Sequence, residues 1–213
     1  WSSDVCSSDL PTTVRRAVAE NPSTPPEALA ILARDPCREA SRAVARNPST
    51  PPEALARLAG SNDDEVRRAV AMNRSTPPDA LNMLARDSRE WVRQAAAGNP
   101  STPLEGLAIL ARDPNDIVRE AAAGNASTPP ATLGTLAGDG RALVRRSVSQ
   151  NPSTLPETLA ILAGDDDAEV RESAARNPST PREALLNRAR DRGDWVRGMV
   201  VAVNASKIGR AHV

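Results

Sequence analysis

Phenylalanine and tyrosine are absent from the 213 residues, and histidine and lysine occur once each, as His212 and Lys207. Without imidazole or amine in the body of the chain there is no His general base, Ser-His or Cys-His nucleophile pair, Schiff-base lysine or imidazole metal ligand. Of the two cysteines, Cys6 lies in an anomalous tail, and Cys37 alone makes neither a disulfide framework nor a metal site. The three tryptophans are Trp1, Trp91 and Trp195, too few to line a deep aromatic pocket. No apolar run reaches the roughly 18 residues of a membrane span. Lys plus Arg and Asp plus Glu balance at 27 each, so bulk charge gives no reason to seek nucleic acid or anionic lipid. Together these absences predict a non-enzymatic segment with no cofactor, cytoplasmic by default.

What the chain has is a period. Asn-Pro-Ser-Thr or a close variant begins at Asn21, Asn47, Asn73, Asn99, Asn125, Asn151 and Asn177, always 26 residues apart, with a late echo at Asn204. Such a period marks a repeat architecture. Leu recurs at the eighth place after the Asn, from Leu29 through Leu55, Leu81, Leu107, Leu133 and Leu159 to Leu185. A second leucine follows three residues later in six copies, from Leu32 to Leu162, then Ala. This i, i+3, i+4 stripe is the apolar face of a short helix.

The helix start reads as Thr24-Pro25-Pro26-Glu27, with Thr as N-cap, Pro at the first helical position and Glu closing a capping box. Its end is expected near Asp35. A second helix carries Val66-Arg67-Arg68-Ala69-Val70-Ala71 and its counterparts, and stops where Asn-Pro removes a backbone donor. Small residues at Ala17, Ala43, Ala69, Ala95 and Ala121 allow close helix approach. Neither helix can bury its face alone, so about seven and a half units must stack into an all-α solenoid with one continuous core.

The tails stand outside the pattern. Lys207 to Val213 can be encoded by a string whose reverse complement translates as Asp4 to Leu10, and that string resembles a sequencing-library adapter. Residues 1–10 and 207–213 are therefore read as adapter-derived, and 11–206 as a repeat segment cut from a longer array.

The unit Val66 to Asn73, followed by Ser75-Thr76-Pro77-Pro78 and Leu81 to Asp87, resembles the variant leucine-rich repeat. That resemblance covers residues 11 to 206 and implies two short helices per unit in a right-handed α-solenoid without strands. The phrase Asp113-Pro114-Asn115-Asp116-Ile117-Val118-Arg119 is also similar to HEAT repeats, which imply the same architecture. Some members of the variant family hold an iron–sulfur centre on an N-terminal cysteine cluster, and no cysteine pair here matches it.

One arginine phase runs Arg15, Arg67, Arg93, Arg119, Arg145, Arg171 and Arg197, broken by Ser41. It reads either as a basic stripe for a partner or as a ladder to the aspartates six residues upstream, from Asp35 to Asp191; the ladder is favoured. The recurring Asn is read as turn chemistry, and Asp165-Asp166-Asp167 as a solvated loop rather than a cation site. The reading of function is a scaffold for an unidentified protein partner. Its candidate contacts vary between copies: Arg68, Gln94, Glu120, Arg146 and Glu172, with Trp91 and Trp195. The alternative is a HEAT-like solenoid gripping nucleic acid with an Arg-lined face.

Overall fold

A computed structural model describes residues 11–189. Seven nine-residue helices, α1 (Thr12–Glu20), α3 (Arg38–Arg46), α5 (Asp64–Met72), α7 (Glu90–Gly98), α9 (Asp116–Gly124), α11 (Ala142–Gln150) and α13 (Ala168–Arg176), recur every 26 residues. Between them lie the seven-residue α2 (Pro26–Leu32), α4 (Pro52–Leu58), α6 (Pro78–Leu84), α8 (Leu104–Leu110), α10 (Pro130–Leu136) and α12 (Pro156–Leu162), and α14 (Arg182–Ala189) follows last. The described residues contain no strand, as the sequence pattern predicts. Contacts divide the chain into two compact blocks, with the boundary between Val118 and Arg119.

In the first block α1, α3, α5 and α7 pack side by side, each against the next, while α2, α4, α6 and α8 form a second row. In the second block α11 packs on α13 in the same way. The six phased leucines from Leu29 to Leu159 are fully buried, Leu185 nearly so, and the second series from Leu32 to Leu162 is buried throughout. From the long helices come Val66, Val92, Val118, Val144 and Val170, all without exposure, joined by small residues such as Ala45, Ala71 and Ala97. Each fully buried Leu contributes about 1.5 to 3 kcal/mol, so the stack is held chiefly by these faces. Of the small-residue series, Ala43 and Ala69 are buried, Ala95 and Ala121 half-buried and Ala17 exposed.

The short helices begin differently from the sequence expectation. The first proline of the pair, Pro25, is the N-cap and the second, Pro26, opens the helix; no side chain caps it. Thr24 instead turns back, and its Oγ1 donates to the carbonyl of Val18 at 2.5 Å. The same bond runs from Thr50 to Val44, Thr76 to Val70, Thr102 to Ala96 and Thr154 to Val148, at 2.5–2.6 Å. The threonine therefore closes the end of the preceding long helix, where carbonyls lack helical partners. The Thr24 N–H donates to the carbonyl of Asn21 at 3.0 Å and its hydroxyl to that of Val18, so both groups a capping box would use are turned toward the preceding helix.

Neighbouring units also adjust to each other's volume. At the place of Ala28, Ala54 and Ala80 stands Gly106, where a Cβ would come within 2.9 Å of Asn82 Oδ1. Asn82 itself stands where four other copies have alanine, at Ala30, Ala56, Ala108 and Ala160. A larger side chain in one unit is thus met by a missing one in the next.

Candidate interaction surface

The turn that joins each long helix to the next short one is tied across the repeat. Asn73 Nδ2 donates to the carbonyls of Ala45 and Asn47, 2.9 and 3.0 Å away in the previous unit, while its Oδ1 accepts from Ser75 N at 2.9 Å. Asn47, Asn99 and Asn151 repeat the pattern. Ser75 Oγ donates to the carbonyl of Pro48 at 3.4 Å, and Ser153 to that of Ala126 at 2.9 Å. Asn, Ser and Thr of the recurring tetrapeptide are all occupied by main-chain groups, which leaves this edge structural.

The arginine phase is occupied as well, but by a different carboxylate from the one nearest in sequence. Arg67 grips Asp87 with two bonds, Nε to Oδ2 at 2.6 Å and Nη2 to Oδ1 at 3.1 Å, across 20 residues. Arg93 holds Asp113, Arg119 holds Asp139 and Arg145 holds Asp165 in the same forked geometry. Arg15 lies 2.8 Å from Asp35. The residue six positions upstream contributes its carbonyl instead: Arg93 Nη1 donates to Asp87 O and Arg145 Nη1 to Asp139 O, both at 2.8 Å. The ladder exists, then, and the upstream pairing expected from the sequence is corrected. Each aspartate reaches forward to accept from the main-chain N–H two residues on, as Asp87 does from Arg89 at 2.9 Å, so its carboxylate faces the arginine of the preceding unit.

These rungs are only slightly exposed and their charges are locked. Hydrogen bonding to Arg145 holds the Asp165 carboxyl below its usual range against the opposing effect of burial, helped by the Asp167 N–H. At Asp87 burial is the largest influence and pushes upward, yet bonds from Arg67 and the Arg89 N–H and the charges of Arg67 and Arg93 leave the net shift downward. Asp139 behaves alike, with burial outweighed by Arg119, the Arg141 N–H and Arg145. Correspondingly, the bond to Asp87 raises Arg67 further. Within the acidic run, Asp165 is in a rung and Asp167 caps α13 through Glu169 N and Val170 N. Among the described residues no group of His, Cys, Asp and Glu is gathered to hold a metal ion.

Opposite the core, each long helix carries a row of three positions that are exposed or, at Arg42, Glu65 and Trp91, half-buried. In the first block they are Glu39, Arg42 and Arg46 on α3, Glu65, Arg68 and Met72 on α5, and Trp91, Gln94 and Gly98 on α7. Open grooves run between adjacent helices, about 390 Å³ between α1 and α3 and about 400 Å³ between α3 and α5. In the second block the groove between α11 and α13 measures about 500 Å³.

A profile of the leucine-rich repeat variant domain matches residues 13–74 and again 39–98, and one of the leucine-rich repeat variant matches 90–115. Residues 13–115 are leucine-rich repeat variant units. A solved leucine-rich repeat variant "with a novel repetitive protein structural motif" is 26% identical, over 83% of this chain and 80% of that one, with a TM-score of 0.43. A designed armadillo repeat protein in complex with the peptide (KR)4 is 17% identical at a TM-score of 0.29, covering 89% of this chain and 90% of that one. Designed armadillo repeat proteins for modular peptide recognition give the same values. No curated protein matches the chain.

On this variant-repeat framework Arg68 and Gln94 are exposed, and Glu120, Arg146 and Glu172 are half-buried. Arg146 is paired to Glu169 at 2.8 Å, and Glu172 to Arg176. Trp91 is half-buried, with the Arg89 guanidinium 5.4 Å from its ring centroid and its indole N–H turned away from solvent. Trp195 and Arg197 lie outside the described residues. Two residues escaped the sequence reading: Arg46 and Met72, one turn beyond the Arg42 and Arg68 phase and so on the same helix face. Their i+4 spacing from that phase was the available signal.

Proposed function

We propose that the chain is a non-catalytic scaffold whose long-helix faces bind an extended segment of a protein partner. One observation carries this reading. Inward and turn positions repeat their chemistry from unit to unit and the rungs change only as a matched pair, at Ser41 and Ser61, whereas the solvent-facing positions change it singly, from Arg68 to Gln94 on adjacent helices and from Met72 to Gly98. Recurring positions satisfy the stack, so variation is free to accumulate where a partner would be read. The nucleic-acid alternative loses its motivation, because the arginines that would have lined such a face are engaged with aspartates.

The test is a peptide-display selection on the immobilised chain, followed by binding of the enriched peptides to a variant carrying Arg68→Ala, Trp91→Ala and Gln94→Ala. Enrichment with loss of binding by the variant, at an unchanged melting temperature, supports the proposal. Absence of any enriched peptide, or equal binding by the variant, overturns it. DNA binding that survives physiological salt would favour the alternative.

A further inference from the structure

The groove between α3 and α5 differs in charge from its neighbours. Its flanking positions hold Arg46 and Arg68, with Glu65, Ala69, Met72 and Asn73 completing the walls. The corresponding pair between α1 and α3 is Glu20 and Arg42, and between α11 and α13 it is Gln150 and Glu172. Other arginines of the long helices are answered locally: Arg16 by Glu20 at 2.8 Å in the first block, and Arg146 by Glu169 at 2.8 Å and Arg176 by Glu172 in the second. Among the described residues, no ion pair or hydrogen bond engages the Arg46 or Arg68 guanidinium. Met72 lines the same groove and is 63% exposed, which leaves its thioether open to a ligand seated there.

We propose that this groove is a subsite for an acidic segment of a partner polypeptide, seating a carboxylate between Arg46 and Arg68 and an adjacent apolar side chain against Met72. Two like charges facing across a groove repel each other, and a bound carboxylate converts that repulsion into charge-assisted hydrogen bonds. The thioether is soft and adaptable, suited to an apolar residue beside the acid. A peptide fits better than a phosphate backbone because Glu65 stands in the same groove and Glu39 and Glu20 in the next one, interrupting any continuous positive track. The proposal rests on the scaffold reading above and sharpens it to a partner chemistry.

The experiment measures fluorescence anisotropy of three labelled probes at low salt: a short peptide alternating Glu and Leu, its Lys and Leu counterpart, and single-stranded DNA. The acidic peptide should bind, the basic one should not, and Arg46→Ala with Arg68→Ala should weaken binding by about tenfold or more. Arg57→Ala with Arg112→Ala, exposed positions outside the long helices, should leave it unchanged. Reversal to Arg46→Glu with Arg68→Glu should transfer binding to the Lys and Leu peptide. Equal binding by the Arg46 and Arg68 variant, or preference for the basic probe, overturns the proposal. Tighter binding of DNA that depends on the same two arginines also overturns it, in favour of a phosphate ligand. If display yields peptides that ignore Arg46 and Arg68, the subsite fails and the scaffold reading stands; if display yields none, the scaffold reading fails first.

Discussion

Ser41 and Ser61 occupy, in one unit, the two places that Arg67 and Asp87 occupy in the next. The arginine and its carboxylate, 20 residues apart in sequence, have been exchanged together, so neither charge is left alone in a slightly exposed site. Ser41 Oγ still donates to Asp35 O at 3.2 Å, as Arg93 donates to Asp87 O, and the Ser61 carbonyl still accepts from Arg67 Nη1 at 2.8 Å. Beside the missing rung, Asp63 lies 3.0 Å from Arg38 and 3.9 Å from Arg42. The packing has no such substitute: Leu55 and Leu81 are equally buried, and Asn47 and Asn73 make the same paired bonds. Ionic rungs are exchangeable between units, whereas the leucine face and the asparagine turn are not, in keeping with the high desolvation cost of charges at such sites.

The comparison can be broken most directly at the core. Leu55→Ala, beside the serine rung, and Leu107→Ala, beside Arg93 and Asp113, should each cost about 2 to 5 kcal/mol in urea denaturation. A much smaller cost at Leu55 would mean that the two regions differ in packing as well as charge. Next in size is Asn73→Asp, which aims a carboxylate at two carbonyls and should cost more than the loss of about 1 to 3 kcal/mol expected for Asn73→Ala, read by thermal melts.

The rung itself sets the third test. Asp87→Ser alone leaves Arg67 facing no carboxylate and should cost about 1 to 3 kcal/mol, while Arg67→Ser with Asp87→Ser, copying the 41 and 61 pair, should cost less than the single change. A double variant as unstable as the sum of its parts would show that the rungs do not act as pairs. Titration sharpens the same point. Asp87, Asp139 and Asp165 are lowered in the folded state, so their stabilisation is complete above the unfolded carboxyl value of about 3.9 and is lost as pH falls through the lower folded values. Melting temperature should drop on that acid limb, and less steeply in the double serine variant.

The smallest effect belongs to the other matched pair. Gly106→Ala gains nothing while Asn82 Oδ1 and Thr102 Cγ2 would sit 2.9 and 3.1 Å from the new Cβ; joined to Asn82→Ala, which removes the closer contact and leaves Thr102 to give way slightly, it should gain at most about 0.5 to 1 kcal/mol by calorimetry.

Much of this was legible beforehand. The 26-residue interval, the phased leucines and the Asn-Pro stops were sufficient for two stacked helices per unit, because burial depends on which face a residue occupies and periodicity reports faces. Two assignments missed in the same way. Position along the chain points Thr24 toward the helix that follows it, yet it bonds to the one before; the same spacing points Arg93 toward Asp87, yet it grips Asp113. In both cases proximity along the chain differs from proximity in space. The paired loss at Ser41 and Ser61 was the one sign of the 20-residue spacing. On the surface, Arg46 and Met72 were overlooked because they fall beside the turn motif and were not counted with the helix face they extend.

The sequence by itself determined the period, the helical class and the identity of the buried face, since hydrophobic burial is non-directional and needs only the right residues on one side. Only the tertiary structure decided which carboxylate each arginine meets, which carbonyls each asparagine and threonine satisfies, and which groove keeps its arginines unanswered. Hydrogen bonds and ion pairs depend on angle and distance between groups 6 to 28 residues apart, and those are settled when one unit is laid against the next.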